Sequence, residues 1–329
     1  MKVTQKKVDE LNLELTVNVA AEDYAPAKKK RLNDIRRTAE FKGFRKGNVP
    51  MSLIEKLYGE QALVEAVNDI ISEQLNNHIK SKKLHILAEP LASEKQPVID
   101  WEDGKDFKFL FDVALAPEVS VEVVKEDTVA SYTINVTEAA KKDMKDNIRK
   151  FDEKKKDKTD EELDPEVTEY LKNSYKQESD YRLAKDIRNY FVEKANFSLP
   201  EAFLKRWLIS VNKEKFSAEE VEKEFPGFIA DFKWQMVRDS LMTTFKHKIT
   251  DKDLQEAAEA YVSYQYAMYG MGNVPAEIIK ESVQNVLTDN RQLQQIEEQV
   301  MDSKVMASIK EIITIKPKKI SVEKFRELA

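Results

Sequence analysis

Cysteine is absent from the 329-residue sequence, and glycine is scarce, with seven residues. Without cysteine, neither disulfides nor thiolate metal sites can form. So few glycines argue against an all-β architecture, which needs many tight turns. No run approaches the roughly 18 apolar residues of a membrane span, and residues 1–10 lack the apolar core of a signal peptide. We therefore expect a cytoplasmic protein without a membrane partner.

In contrast to cysteine and glycine, charged residues are abundant. Charged residues make up 35% of the chain, and the net charge is −6. The length exceeds that of a typical single domain and predicts two or three units.

The first unit is predicted to be α+β and to span residues 1–118. Apolar residues fall on every odd position of 11–19, and 107–115 repeat this strand period. Helical spacing from 63 to 79 predicts a helix that covers one face of the sheet. A further helix is predicted over 21–41, with acidic residues at its start where the helix dipole favours them.

The rest of the chain is predicted to be mainly helical. A strand is expected over 129–136, within a linker segment at 119–151. Residues 152–164 form a charged connector that cannot bury enough apolar surface to join a core. Residues 165–329 are predicted to form a helical C-terminal domain. Its helices are expected to start or end near five prolines: Pro165, Pro200, Pro226, Pro275 and Pro317.

One short loop stands out at residues 41–50. Gly43 and Gly47 permit the positive φ angles of tight turns, and Pro50 keeps the preceding residue out of helix. Phe44 lies between a glycine and an arginine, where no helix or strand period would bury it. We therefore expect the tip of the loop to point outward.

Positive charge is concentrated in and before this loop. The cations are Lys28, Lys29, Lys30, Arg31, Arg36, Arg37, Lys42, Arg45 and Lys46. Only Asp34 and Glu40 oppose them, which leaves a local charge of +7. Such a patch is either a solvated helix face or a surface that docks on phosphate or an acidic partner.

The loop resembles a known family. The ribosome-docking loop and second helix of bacterial trigger factors are similar to the run GFRKGNVP at 43–50, followed by MSLI at 51–54 and Tyr58-Gly59. The resemblance implies a chaperone that sits at the exit tunnel of the large ribosomal subunit and contacts a ribosomal protein and rRNA. The expected ribosome-binding residues are Arg36, Arg37, Lys42, Gly43, Phe44, Arg45, Lys46 and Gly47.

The family commonly carries a prolyl isomerase domain of the FK506-binding type, and the resemblance implies its position between Phe151 and Leu163. Only the charged connector lies there, and no glycine occurs from Lys125 to Phe225. We therefore expect this domain to be absent, either naturally or by deletion, and expect no enzymatic activity.

The C-terminal segments at 200–208 and 269–275 are similar to those of Bacteroides-like trigger factors. In the family, such helices form a body with two projecting arms that hold nascent or unfolded chains without ATP, and the free protein can dimerise. Flexible methionines and aromatics suit a surface that accepts many apolar shapes, although they are also typical of a core-facing helix. The expected client-binding residues are Tyr261, Tyr264, Met268, Tyr269 and Met271.

An enzyme is not indicated. The three histidines lie far apart, and the glycine spacing matches no phosphate-binding motif. No catalytic residue, cofactor or metal site is therefore predicted. Two alternatives to a ribosome-associated chaperone stay open: a periplasmic-type chaperone with a similar helical body, and a nucleic-acid-binding module that uses the basic patch.

Overall fold

The computed structural model describes residues 2–212 and 215–328. The strands are β1 (Lys2–Lys7), β2 (Asn12–Val19), β3 (Leu91–Ala92), β4 (Phe107–Ala114), β5 (Thr128–Ile134) and β6 (Thr314–Ile320). The helices are α1 (Ala21–Thr38), α2 (Met51–Ser81), α3 (Glu138–Phe151), α4 (Asp160–Ala195), α5 (Glu201–Val211), α6 (Ala218–Thr244), α7 (Asp251–Met268), α8 (Ala276–Thr288), α9 (Asn290–Ile312) and α10 (Val322–Glu327). Within the described ranges, none of the helices is long and apolar enough to cross a membrane.

The chain forms two compact units. One unit combines residues 1–118 with 197–229, and the other combines 119–196 with 230–329. The predicted fold class, an α+β N-terminal part followed by a mainly helical part, is confirmed.

The first unit is built on an antiparallel sheet with the strand order β1-β2-β4-β3. The odd-numbered apolar residues of β2 are buried, as the period of two predicts. They pack with the apolar face of α2, represented by Leu63 and Val67, and with Tyr24 of α1. The two strands and the helix predicted from apolar spacing are therefore confirmed, and the helix predicted over 21–41 is present as α1, which ends at Thr38.

Strand β1 was not predicted, because Val3 is its only apolar residue and the other five residues are charged or polar and exposed. It forms an edge strand, where lysines are common because they discourage further pairing. The turn into β2 is closed by Asp9, whose Oδ1 accepts from the backbone N–H groups of Leu11 and Asn12, each at 2.8 Å.

Helix α5 also belongs to the first unit. Arg206 Nη1 donates to Asp112 of β4 at 2.7 Å, and Arg206 Nη2 donates to the carbonyl of Ala92 in β3 at 3.0 Å. Asp112 and Arg206 are 94 residues apart in sequence, so the pairing gives no local sequence signal.

The second unit contains a parallel pair of strands, β5 and β6, with Thr128 opposite Thr314. A strand at β6 contradicts the prediction of helix almost to the end of the chain. Pro317, expected near a helix boundary, lies within this strand. A proline is tolerated there because β6 pairs on one side only among the described strands, so its missing N–H breaks no ladder on the other side.

The other four prolines lie at the start of a helix or inside one. Pro200 and Pro275 precede α5 and α8 as expected, but Pro165 and Pro226 lie inside α4 and α6. Pro165 is near the start of α4, where its missing N–H costs at most one helical hydrogen bond. Around Pro226, burial of residues such as Ile229 stabilises the helix more than the local propensity opposes it.

Asp127 joins β5 to α4 in the second unit. Its carboxylate accepts hydrogen bonds from Lys194 Nζ at 2.7 Å, Tyr190 Oη at 2.7 Å and the Val124 N–H at 2.9 Å. Burial alone would raise the pKa of Asp127, but these hydrogen bonds, with that of Lys194 the strongest, hold the pKa below its ordinary value. The charged form of Asp127 therefore stabilises the fold.

Replacing Asp127 with alanine should lower the free energy of unfolding by about 3 kcal/mol at pH 7, because Lys194 and Tyr190 lose a buried partner. Since the folded pKa of Asp127 lies below the unfolded value of about 3.9, the difference between the two proteins should persist above that pH. It should shrink as the pH falls through the folded pKa. Urea denaturation across this pH range measures both effects. The exposed neighbour Glu126 is the control, and an equal loss in Glu126→Ala would contradict the assignment.

Candidate functional site

The basic loop, residues 39–50 between α1 and α2, contains two consecutive β-turns. The Phe44 N–H donates to the Phe41 carbonyl at 3.0 Å, and the Asn48 N–H donates to the Arg45 carbonyl at 2.9 Å. Each bond joins the first and fourth residues of a turn. The first turn is therefore 41–44, and the second, 45–48, follows it directly.

A glycine occupies the third position of each turn. Gly43 has φ +92° and Gly47 has φ +84°, whereas Lys42 and Lys46 at the second positions do not have positive φ. This combination defines type II turns, which favour glycine at the third position. The two lysines therefore occupy equivalent places in a repeated turn.

The tip of the basic loop is solvent-exposed. Residues 42–46 are all exposed, and Phe44 retains 43% of its accessible surface. The outward tip predicted from the sequence is thus present in the structure.

Both ends of the basic loop are held by an apolar cluster between α1 and α2. This loop-base cluster consists of the buried residues Leu32, Val49, Ile54 and Ala62. Val49 is completely buried directly after the second turn. At the other end, Phe41 packs edge-to-face on Tyr58 of α2, with ring centroids 6.2 Å apart and an interplanar angle of 83°.

The positive patch is smaller than the sequence indicates. Lys28 is buried and pairs with Asp103 at 2.8 Å, and Arg31 pairs with Glu65 and Asp69 of α2. Acidic residues distant in sequence thus neutralise these two cations of α1, and the local charge of +7 overstates the patch.

Of the remaining cations, Lys29 and Lys30 are exposed on α1, and the other five lie at or near the basic loop. Arg37, Lys42, Arg45 and Lys46 are exposed, whereas Arg36 is partly buried. Lys46 lies 3.8 Å from Glu40, but both side chains are well exposed, so this pair contributes little stability.

A second candidate surface lies at the end of α7. The helix ends in a Schellman motif: the Met271 N–H donates to the Tyr266 carbonyl, the Gly270 N–H donates to the Ala267 carbonyl, and Gly270 has φ +75°. Four predicted client-binding residues in this segment, called the α7–α8 surface below, are exposed. Their exposures are 65% for Tyr264, 70% for Met268, 81% for Tyr269 and 55% for Met271.

The fifth predicted residue, Tyr261, is only partly exposed. It packs against the apolar cluster of α7, α8 and α9, which contains Val262. Tyr266 packs there as well, and its hydroxyl lies 2.9 Å from Ser282 Oγ. The aromatics of α7 therefore divide into a core-facing set and an exposed set.

Two exposed apolar features were missed by the sequence analysis. Ile278, early in α8, retains 46% exposure. A cavity of about 530 Å³ is lined by five apolar residues, Leu208, Phe216, Val221, Phe225 and Phe228, and by four polar ones, Asn212, Glu220, Lys223 and Glu224. The phenylalanine spacing of 216, 225 and 228 is the only sequence signal for this cavity.

Two of the three histidines, His78 and His247, have side-chain partners. His78 Nε2 lies 3.0 Å from Gln5 Oε1, and His247 Nε2 lies 2.8 Å from Ser308 Oγ. Over the described ranges, no group of three or more carboxylate or histidine side chains could hold a metal ion.

Two family models match most of the sequence. The model described as bacterial trigger factor protein matches residues 1–148, and the model described as probable trigger factor, C-terminal domain, matches residues 179–329. Residues 149–178 lie between them, and they include the charged run of the predicted connector.

Curated relatives resemble slightly less than half of the chain. The trigger factor of Francisella tularensis subsp. holarctica is 29% identical over 150 residues, which are 46% of this chain and 33% of that protein. The trigger factor of Psychrobacter cryohalolentis is 33% identical over 151 residues, which are 46% of this chain and 32% of that protein. The match thus spans about a third of the length of these relatives.

A solved structure is similar over nearly the whole chain. It belongs to a study described as "Promiscuous Substrate Recognition in Folding and Assembly Activities of the Trigger Factor Chaperone". The TM-score is 0.56 at 13% identity, with 94% of this chain and 99% of that chain covered. At this identity the likeness concerns the fold alone.

The turn geometry predicts opposite effects for glycine substitutions. No atom lies within 4 Å of a Cβ added at Gly43 or at Gly59 of α2, so only the backbone conformation decides the outcome. Gly43→Ala should cost about 1 kcal/mol of turn stability, because an L side chain is strained at positive φ. Gly59→Ala should be neutral or stabilising by up to about 1 kcal/mol in the helix. Amide hydrogen exchange at Phe44 and thermal unfolding measure these effects. Unchanged protection of Phe44 in Gly43→Ala would contradict the turn assignment.

Proposed function

Because the chain belongs to the trigger factor family, we propose that it is an ATP-independent chaperone that docks at the exit tunnel of the large ribosomal subunit and holds nascent or unfolded polypeptides. The observation that carries the proposal is the basic loop, which presents an exposed aromatic ring among exposed cations on two rigid turns. Ribosomes operate in the cytoplasm, so docking places the protein there.

The chemistry of the basic loop suits a ribosomal surface. Arg45 and Lys46 supply positive charge for rRNA phosphates or acidic side chains of a ribosomal protein, and Lys42 adds a third exposed cation. Phe44 offers an apolar contact that a purely electrostatic patch lacks. The combination supports a composite protein and RNA partner.

A nucleic-acid-binding module is less well supported. Binding of single strands relies on several aromatic rings that stack on bases. Phe41 is packed on Tyr58, so Phe44 alone projects from the basic loop. The periplasmic alternative offers no use for this loop.

The α7–α8 surface is proposed to contact client chains. Its methionines adapt to different apolar shapes, and scattered exposed residues permit the weak binding that client release requires. The apolar cavity lined by Phe216, Phe225 and their neighbours offers a further surface of similar character.

We also propose that no prolyl isomerase domain is present. Residues 149–178 contain the end of α3, a short 3₁₀ helix at Glu153–Lys155 and the first half of α4. A domain with a ligand-enclosing pocket needs on the order of 80–100 residues.

A proline-limited peptide folding assay should show no acceleration over the uncatalysed rate, and clear turnover would contradict the proposal.

Ribosome docking is tested with the combined substitutions Phe44→Ala, Arg45→Ala and Lys46→Ala. Co-sedimentation with 70S ribosomes should weaken at least about tenfold, because the side chains at the centre of a contact dominate its affinity. The dependence of binding on salt should also flatten, by about two in the log–log slope, since two cations are lost.

The matched control also removes one phenylalanine and two cations, but from another surface: Phe151→Ala, Lys154→Ala and Lys156→Ala. All three side chains are exposed. Normal pelleting of the control with weakened pelleting of the loop variant supports docking through the basic loop. Normal pelleting of both would refute it.

Client holding is tested with Met268→Ser, Tyr269→Ser and Met271→Ser combined. The concentration needed to suppress aggregation of an unfolded client without ATP should rise about three- to tenfold, because apolar contacts with the client are lost. The control is Val98→Ser, Phe151→Ser and Tyr170→Ser, three exposed apolar residues on other elements. Equal activity of the two variants would exclude a special role for the α7–α8 surface.

A further inference from the structure

We propose that Tyr58 of α2 is a positioning residue for the basic loop, acting through Phe41; its value for ribosome docking rests on the proposed function. Tyr58 lies outside the turns and only partly exposes its ring. It is therefore suited to hold the loop rather than to meet the partner.

The contact with Tyr58 is linked directly to the first turn. The Phe41 ring packs edge-to-face on Tyr58, and the Phe41 carbonyl accepts the hydrogen bond that closes the turn at Phe44. Displacement of Phe41 therefore changes the position of Phe44. The second turn begins at the next residue, Arg45, so the change extends to the cations.

The other end of the basic loop is fixed independently. Val49 is buried in the loop-base cluster, and the Pro50 carbonyl accepts from the N–H groups of Leu53 and Ile54 as α2 begins. With both ends attached to α2, the two turns have a fixed orientation. Without Tyr58, the end at Phe41 loses its aromatic contact with this helix and keeps only its packing against the loop-base cluster.

The ring of Tyr58, and not its hydroxyl, carries this role. No hydrogen bond to the Tyr58 hydroxyl is present among the described contacts, whereas its ring meets both Phe41 and the loop-base cluster. Tyr58→Phe should therefore preserve the position of the loop. Tyr58→Leu should not, since leucine lacks the aromatic face that an edge-to-face pair requires.

The expected consequence is weaker docking at unchanged contact chemistry. A loop that is ordered before binding avoids the entropy cost of ordering it in the complex. Loss of one aromatic pair should therefore reduce ribosome affinity about fivefold in Tyr58→Leu. Since Phe41 and Tyr58 act together, the effects of Phe41→Leu and Tyr58→Leu should be non-additive in a double-mutant cycle.

The experiment compares Tyr58→Leu, Tyr58→Phe and the exposed neighbour variant Leu57→Ala in three measurements. These are ribosome affinity, amide exchange at Phe44 and Asn48, and thermal unfolding. We expect Tyr58→Leu to bind more weakly and to exchange faster at Phe44, with Tyr58→Phe and Leu57→Ala close to wild type. A similar loss in Tyr58→Phe, or wild-type behaviour of Tyr58→Leu, would overturn the proposal.

The outcome separates this proposal from the docking function. If the triple variant at Phe44, Arg45 and Lys46 binds poorly while Tyr58→Leu binds normally, docking stands and positioning fails. If the triple variant itself binds normally, the docking function fails, and exchange at Phe44 alone decides: faster exchange in Tyr58→Leu supports positioning, and unchanged exchange overturns it. Should Tyr58→Leu unfold, the same comparison is made with Phe41→Leu.

Discussion

The packing of α1 against α2 around Leu32, Val49, Ile54 and Ala62 is the constraint on which the basic loop depends. Buried apolar area holds the two helices together, and the loop spans their ends. Because Val49 belongs to this cluster, the free energy that stabilises the helix pair also fixes one end of the loop. The shape of the exposed tip thus depends on buried residues that do not belong to the proposed docking contact.

The two candidate surfaces use different physical chemistry. The basic loop combines charge with one exposed ring on rigid turns, which favours a specific orientation. The α7–α8 surface exposes flexible thioethers and tyrosines, which favour contact with many shapes. Exposure without rigid polar partners suits weak, reversible binding. The proposed chaperone function requires both properties: a docking contact of fixed orientation and a surface that binds many client shapes weakly.

Elements with a regular apolar period could be predicted from the sequence, and elements without one could not. Strands β2 and β4 alternate cleanly, whereas β1 and β6 are rich in lysine, and β6 contains Pro317. The pairing of Lys28 with Asp103 was also invisible, because the partners meet only in the folded chain. The division of the α7 aromatics into buried and exposed sets could have been predicted from the sequence. Ala258, Val262 and Tyr266 are spaced four residues apart and therefore face the core together.

The pairing of Lys28 and Arg31 with carboxylates changes the distribution of positive charge that a partner would meet. If Lys28 and Arg31 were free, the field would extend along the helix and attract anions without a preferred direction. Their carboxylate partners remove these two charges, so the exposed Lys29 and Lys30 on α1 are separate from a compact group of exposed cations at the end of the helix and the loop tip. At physiological ionic strength charges are screened within about 8 Å, so such a compact group acts only where it touches. Its orientation then matters more than its total charge, and orientation is what the two turns and their attachment to α2 provide.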